Sequence, residues 1–329
     1  MLTDGKTTYH TAVVEVSNVA RGKAGLWLFQ IGDRQEYGDF ELSQAQLGWG
    51  RAVGRRPDDY RRELDLNTAI VTVSYRLGDA MFTREVFSSV PDQALVVRLT
   101  CDKPGRIGFT AGLTRPERFA TAADGSDGLV MSGQLNDGLN GPNGMKYIAR
   151  VKAVADGGTV NTDGNNLRVV GANSVTLFLT AGTDYKLKEP YRGNPHEKVT
   201  AHQLAAAAAK PYDELRKAQV ADHQKLFRRV SLDLGGHEAR KLPTDQRLAR
   251  MAKDKTSDPD LEAILFHFGR YLAISGSRPS NLLSSLQGIW AEQIQTPWCG
   301  QFTVDLNVQM NCWPLETANL SECFLPTFD

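Results

Sequence analysis

Short apolar runs separated by turn residues fill the chain between about residues 8 and 185. Glycine, proline, asparagine and aspartate separate the runs, as in Asp156-Gly157-Gly158. Runs of this kind without helical intervals favour antiparallel strands over a parallel α/β sheet. The predicted strands are LWLFQI, AIVTVSY, FTREVF, ALVVRLT, RIGFTAGL, YIARVKAV and SVTLFLT. The pattern therefore predicts a large antiparallel β-sandwich.

The spacing of apolar residues becomes helical after residue 190. HEKVTAHQLAAAAAK is rich in alanine, Pro211 interrupts it, and YDELRKAQVADHQKLFRRV has apolar residues three and four positions apart. His223 falls on the buried side of the second helix, which favours a hydrogen-bonded core histidine over a catalytic one. SLDLGGHEARKLPTDQRLARMAKDKTS is polar with two adjacent glycines, which predicts a strand followed by a linker.

A well-marked helix opens the last part of the chain, with Asp258 as N-cap, Pro259 in the first turn and Gly276 after its end. Its predicted apolar stripe is Leu261, Ile264, Leu265, Phe268 and Leu272. A further helix is predicted from Pro314, and Trp313 is predicted to lie in the core. These helices cannot close a core by themselves, so this part looks incomplete.

Apolar and polar residues alternate in TVDLNVQMNCW, residues 303–313. In an extended backbone Asp305, Asn307 and Gln309 would share one face, roughly 7 Å apart in steps of two residues. This pattern is typical of a half-buried strand with a wet outer face. It also fits a row of groups lining a pocket for a polyhydroxylated ligand, and the residues alone leave both interpretations open.

The composition mainly excludes certain partners and kinds of site. The chain has 329 residues, of which 41% are hydrophobic, enough for two domains and a sizeable core. Its 38 basic and 38 acidic residues cancel, so no net field favours nucleic acid or an anionic membrane as partner. Four cysteines without C-x-x-C spacing and six histidines without H-E-x-x-H predict neither a metal site nor a cofactor. No membrane span or signal peptide is predicted, and the compartment stays open.

The order of motifs between residues 268 and 322 resembles glycoside hydrolase family 95, which contains α-1,2-L-fucosidases and α-L-galactosidases. The motifs are a GRYL helix, an SRP turn, an LQGIW segment, Pro297-Trp298, and a run of the form N-x-N-x-x-M-N-Y-W-P-x-E, here Asp305 to Glu316. Upstream, YRRELDLNTAIVTVSY and HQKLFRRVSLDLG resemble the family's β domain and connector. The resemblance covers nearly the whole chain.

This resemblance implies a mixed fold, β then α: an N-terminal antiparallel β super-sandwich (residues 1–190), a helical linker with a short strand (191–255), and the beginning of an (α/α)6 barrel (256–329). It also implies inverting hydrolysis, in which a glutamic acid protonates the leaving oxygen while water attacks the opposite face of the sugar. The expected partners are glycans carrying α-1,2-linked L-fucose or α-L-galactose. Family members are commonly exported.

By the same resemblance, Asn307 and Asp305 would position the attacking water. Asp305 replaces an amide of the family pattern, so it could also take the water's proton. Thr303 stands where the family contacts the sugar around C5, and a small side chain there weakly favours tolerance of the C6 hydroxyl of L-galactose. The other residues predicted to bind substrate are Trp298, Trp290, Gln309 and Asn311, although packing is the default interpretation for Trp290.

The family's acid and base lie on later barrel helices. The resemblance therefore predicts an internal portion of a longer enzyme that is inactive alone, with Glu316 and Glu322 in the wrong motif to act as the acid. Two alternatives stay open: a non-catalytic sugar-binding remnant, and an inverting disaccharide phosphorylase. Phosphate needs a basic or amide-rich cradle, so the acidic stretch around Asp305 disfavours the phosphorylase.

Overall fold

A computed structural model of the chain describes residues 58–136, 143–186, 190–279, 282–287, 289–290 and 297–328. It also describes four two-residue strands nearer the N-terminus: β1 Leu2–Thr3, β2 Lys6–Thr7, β3 Tyr9–His10 and β4 Gly32–Asp33. The predicted strand LWLFQI lies outside the described residues.

Two antiparallel sheets make up most of the described β region. The larger contains β5 Asp58–Asp65, β6 Ile70–Leu77, β7 Ala80–Ser89, β8 Ala94–Cys101, β10 Ala120–Ala123, β11 Gly128–Gln134, β12 Lys146–Asp156 and β15 Ser174–Thr183. Its strand order is β10-β11-β12-β15-β8-β7-β6-β5. The smaller contains β9 Ile107–Gly112, β13 Thr159–Asp163 and β14 Asn166–Ala172, in the order β13-β14-β9. Each neighbouring pair is antiparallel.

The two sheets face each other across one apolar core. Phe109 and Leu167 of the smaller sheet belong to the same buried cluster as Val97 and Leu177 of the larger. Alternation decides which side chains enter: in β14, Leu167 is buried while Arg168 points to solvent. The predicted β-sandwich is confirmed, and all six predicted runs within the described residues are strands.

Two helices cover the other face of the eight-stranded sheet: α1 His196–Ala208 and α2 Tyr212–Phe227. Leu204 and Leu215 pack with Val96 and Phe178 of the sheet. Because β8 and β15 are covered on both faces, consecutive residues of these strands are buried and none of their residues is exposed. Both predicted helices are confirmed.

Residues 231–255 contain no strand, contrary to the prediction. A 3-10 turn spans His237–Lys241, and the helix α3 spans Thr244–Asp254. The adjacent glycines suggested a linker, but TDQRLARMAKD contains mostly good helix formers and follows Pro243. The helix was therefore predictable from local propensity.

The helix α4 spans Pro259–Gly276, and the Asp258 side chain accepts a 3.1 Å hydrogen bond from the backbone N–H of Leu261, which confirms the predicted cap. The predicted stripe is partly wrong, because Leu265 is 69% exposed whereas Arg270 is buried. Contacts with other helices determine which face of α4 is buried. The spacing of apolar residues along α4 does not show where those contacts lie.

The last helix, α5, spans Asn307–Thr317 and precedes two 3-10 turns, Ser321–Cys323 and Leu325–Thr327. The prediction of a helix beginning at Pro314 is wrong, since Pro314 lies inside α5. The prediction of a buried Trp313 is also wrong, since this side chain is 62% exposed. The buried face of α5 consists of Val308, Cys312 and Leu315, spaced by four and three residues. Thus helices follow the β-sandwich, while the domain boundaries at 190 and 255 stay a prediction.

Candidate active site

The stretch around residues 303–309 is a turn followed by a helix, so the predicted extended strand is wrong. Residues 304–306 form the turn, and the backbone N–H of Val308 donates to the carbonyl of Thr303 at 3.0 Å. Leu306 adopts a φ of 87° as the chain enters α5. Burial of Val308 together with Cys312 and Leu315 requires the helical period, which outweighs a short alternating pattern. Asp305, Asn307 and Gln309 therefore do not form one face of a strand.

Two of the predicted polar residues use their side chains to hold this local structure together. The amide of Gln309 donates to the carbonyl of Val304, within the turn. Asn311 Nδ2 donates to the carbonyl of Ser285 at 2.9 Å. These contacts tie α5 to the turn before it and to the segment at residues 282–287. Substrate binding by Gln309 and Asn311 stays a prediction, now with a structural role beside it.

Thr303, Asp305 and Asn307 differ from those two residues. Among the described parts of the chain, no hydrogen bond or ion pair engages their side chains. Asp305 is exposed, and Thr303 and Asn307 are half-buried. A hydroxyl, a carboxylate and an amide within five residues offer both donors and acceptors, the combination that sugar hydroxyls need. The turn therefore presents three polar groups that remain available to a ligand.

The two predicted tryptophans have different surroundings. Trp298 lies in the 3-10 turn Pro297–Gly300 and is 73% exposed, so its ring is available for stacking. Trp290 is half-buried against the end of α4: a Cβ added to Gly276 would lie 3.4 Å from two carbons of its six-membered ring. Trp298 thus suits a ligand contact, whereas Trp290 fills space above a glycine.

Backbone contacts bring the Trp298 turn towards this region. The N–H of Gln301 donates to the carbonyl of Trp298 at 3.3 Å, and the N–H of Leu286 donates to the carbonyl of Gln301 at 3.2 Å. Leu286 is adjacent to Ser285, whose carbonyl accepts the hydrogen bond from Asn311. These contacts join three segments into one connected surface: residues 285–287, residues 298–303 and the start of α5. We call it the 298–307 surface, after Trp298, Thr303, Asp305 and Asn307.

Glu316, the last residue of the motif, and Glu322, which follows it, both have hydrogen-bond partners. Arg229 donates to the two carboxylate oxygens of Glu322 at 2.8 and 2.7 Å, and this contact holds the pKa of Glu322 at about 2. Glu316 accepts a 2.6 Å hydrogen bond from the hydroxyl of Ser321. A carboxyl that is ionised at neutral pH cannot donate a proton to a leaving group, so Glu322 is unsuited to be a general acid.

Sequence reasoning missed the arginines that fix this region. Arg270, of the GRYL motif, donates to the carbonyls of Leu226, Phe227 and Ala318. The position of Arg270 in the GRYL motif could have indicated its importance, but its partners lie more than forty residues away in sequence.

In the described residues, no group of three or more His, Cys, Asp or Glu side chains could hold a metal ion. The helices described there also include none long and apolar enough to cross a bilayer.

Comparison with known families decides the relationship. Residues 211–329 match the glycosyl hydrolase family 95 catalytic domain. The chain belongs to glycosyl hydrolase family 95. Residues 29–188 of this family 95 chain match the N-terminal domain of glycosyl hydrolase family 65, which covers the β-sandwich.

Curated relatives of this family 95 chain are fucosidases by name. It is 32% identical to alpha-L-fucosidase 2 of Arabidopsis thaliana, over 82% of this chain and 35% of that protein. It is 31% identical to probable alpha-fucosidase A of Aspergillus niger, over 91% of this chain and 40% of that protein. The corresponding protein of Aspergillus oryzae is 30% identical, over 91% of this chain and 42% of the relative. The chain thus spans 35% to 42% of these relatives.

Proposed function

We propose that this chain forms part of an inverting glycoside hydrolase that removes α-1,2-linked L-fucose from glycans, with α-L-galactose as a second sugar. The observation that carries the proposal is the set of free side chains of Thr303, Asp305 and Asn307 on the same connected surface as the exposed Trp298. This set lies within residues 211–329, where the chain matches the family 95 catalytic domain. The names of the fucosidase relatives support L-fucose as the sugar.

The proposed roles follow from the chemistry of the free groups. The amide of Asn307 binds the attacking water, and the carboxylate of Asp305 accepts a hydrogen bond from it and can take its proton. Water then attacks the anomeric carbon while the glycosidic oxygen leaves with a proton from an acid on the other face. Trp298 stacks on the apolar face of the sugar. Thr303 is small enough to leave space for a C6 hydroxyl.

Residues 307–328 do not supply a suitable acid, because Glu316 and Glu322 are both engaged. We therefore propose that hydrolysis belongs to the whole protein, that this chain binds the sugar without turnover, and that α4 and α5 are the first helices of an (α/α)6 barrel. The chain's coverage of less than half of its relatives is compatible with this division.

The decisive experiment measures binding and turnover on the same purified chain. Titration calorimetry with L-fucose is expected to give binding that Asn307→Ala and Trp298→Ala weaken by about tenfold, a typical loss for a direct contact. Trp313→Ala is the matched control, because Trp313 is also exposed but lies outside the proposed surface. NMR with an α-1,2-fucosylated lactose is expected to show no released L-fucose.

Different results would contradict different parts of the proposal. Failure of the folded chain to bind L-fucose, or equal losses in all three variants, would remove the role of the 298–307 surface. Release of L-fucose with inversion would instead show that the chain contains a complete site.

A non-catalytic sugar-binding protein is the second candidate, because the engaged glutamates are compatible with binding alone. It shares the 298–307 surface with the first proposal and differs only in turnover. A longer form of the protein that carries further barrel helices would separate the two. Release of L-fucose by that form supports the hydrolase, whereas binding without release supports the sugar-binding protein.

A further inference from the structure

The helix α3 faces the rest of the protein with an arginine instead of with its apolar residues. Arg247 is 2% exposed, whereas the adjacent Leu248 is 55% exposed. Arg247 is also the one buried residue of this helix. An isolated helix of 11 residues is not stable in water, so α3 depends on its contacts with the rest of the chain.

Those contacts form an ionic cluster at the N-terminus of α4. Arg247 donates through Nε and Nη2 to the carboxylate of Asp258 at 2.9 and 2.7 Å, and through Nη2 to Asp260 at 3.0 Å. Arg240, in the 3-10 turn before α3, donates to Asp260 at 2.8 Å. Both carboxylates are at least 98% buried. The cluster therefore joins two consecutive segments to the first turn of α4.

We propose that residues 237–255 form a strap that opens from α4 as one unit while the β-sandwich and the helical core, which is the buried cluster shared by α2, α4 and α5, stay folded. The contacts of Arg247 with Asp258 and Asp260 are its latch. Opening exposes little apolar surface, because α3 buries none of its apolar side chains fully. It also returns one guanidinium and two carboxylates to water, and their regained hydration offsets much of the lost ion pairing.

The latch lies far from the 298–307 surface along α4. The helix has 18 residues and is about 27 Å long at 1.5 Å per residue. Asp258 and Asp260 are at its start, whereas Gly276 is at its end, beside Ser284, which directly precedes the 285–287 segment of that surface. The strap therefore opens without disturbing sugar binding, and its behaviour can be tested independently of the proposed hydrolase function.

Hydrogen exchange of the complete 329-residue chain, followed by mass spectrometry in increasing concentrations of urea below the unfolding transition, tests the strap. Amides of residues 244–254 are expected to exchange faster than those of β8 and with a weak dependence on urea, because local opening exposes little surface. Exchange of α3 with the same protection and urea dependence as β8 would mean that it opens only on global unfolding, which would overturn the proposal.

Substitution of the latch provides a second test. Arg247→Met keeps an unbranched stem similar to the aliphatic part of arginine and removes the guanidinium, and the amides of α3 are expected to exchange at least about tenfold faster, still ahead of β8 and with a weak dependence on urea. The control is Lys253→Met, an exposed basic residue of the same helix, with less than about twofold change expected. Equal effects of the two variants, or a urea dependence of α3 exchange in Arg247→Met as strong as that of β8, would contradict a local latch.

Discussion

The guanidinium of Arg270 donates a 2.5 Å hydrogen bond to the carbonyl oxygen of Phe227, and its central carbon lies 5.4 Å from the centre of the Phe227 ring. Phe227 is the last residue of α2, and Arg270 also donates to Leu226 at 3.1 Å and to Ala318, just after α5, at 3.2 Å. Carbonyls at helix ends carry partial negative charge, so they can stabilise a buried cation. One side chain of α4 thus fixes the ends of two other helices.

Arg270→Met should lower the free energy of unfolding by about 2–4 kcal/mol, because it leaves several buried carbonyl oxygens without a donor. Urea unfolding followed by circular dichroism measures the change. Arg61→Met is the control, since the Arg61 side chain is 70% exposed and its loss should change stability by less than about 0.5 kcal/mol. Similar values for the two variants would show that Arg270 contributes little to the helical core.

His223 should make stability fall as the pH decreases below about 6.5. Burial lowers its pKa, and Nε2 lies 2.8 Å from the carbonyl of Leu66, so the neutral ring carries its proton on Nε2. As the pH falls, the histidine takes up a proton in the unfolded chain before it does so in the folded chain. The stabilisation is therefore complete above the unfolded-state pKa of about 6.5 and is lost below it. Asp222, Asp65 and Arg278 are the charged groups that act on this ring.

The measurement is the free energy of unfolding at pH 7.5 and at pH 5.5 for His223→Gln and for the original chain. Glutamine can still donate to Leu66 but does not titrate, so the variant should lose less stability on acidification. His202→Gln, at an exposed position of α1, should leave the pH dependence unchanged. An unchanged fall in the His223 variant would assign the pH dependence to other groups.

Leu306→Gly should stabilise the chain by up to about 1 kcal/mol. Leu306 has a φ of 87° and is 52% exposed, so glycine relieves backbone strain with little loss of packing. Val304→Gly is the control, because Val304 is 71% exposed and has no positive φ. This substitution should instead destabilise the chain slightly. Thermal unfolding of both variants measures the difference, and a lower melting temperature for Leu306→Gly would argue against strain at this turn.

Glu322→Gln should cost about 1 kcal/mol or less at pH 7, because the Glu322 side chain is 41% exposed to solvent. Arg229 lowers the pKa of Glu322 from its ordinary 4.5 to about 2. The stabilisation is therefore present above pH 4.5 and lost as the pH falls towards 2. Unfolding at pH 7 and at pH 3 should show that the difference between the variant and the original chain is larger at pH 7 than at pH 3. Glu238→Gln, in an exposed pair with Lys241, is the control and should show no such difference.

Part of the candidate site was accessible from sequence. The motif from Asp305 to Glu316 identifies residues of the candidate site. It consists of residue types in a fixed order, which can be read directly from the sequence. The backbone around Asp305 was predicted wrongly, because alternation over seven residues fits a strand as well as a turn and the start of a helix. The availability of Asn307 and the engagement of Asn311 were also unpredictable, since Asn311 bonds to Ser285, 26 residues away.

The β-sandwich and the start of α4 could be predicted from the sequence alone. Strand alternation and the Asp258 cap arise from contacts within a few residues, so local pattern suffices to reveal them. Tertiary contacts, in contrast, bury Arg247 while Leu248 faces solvent, and they bury Arg270 rather than Leu265 in α4. A buried charge is stable only beside its partners, and those partners are brought together by the fold rather than by their spacing in the chain.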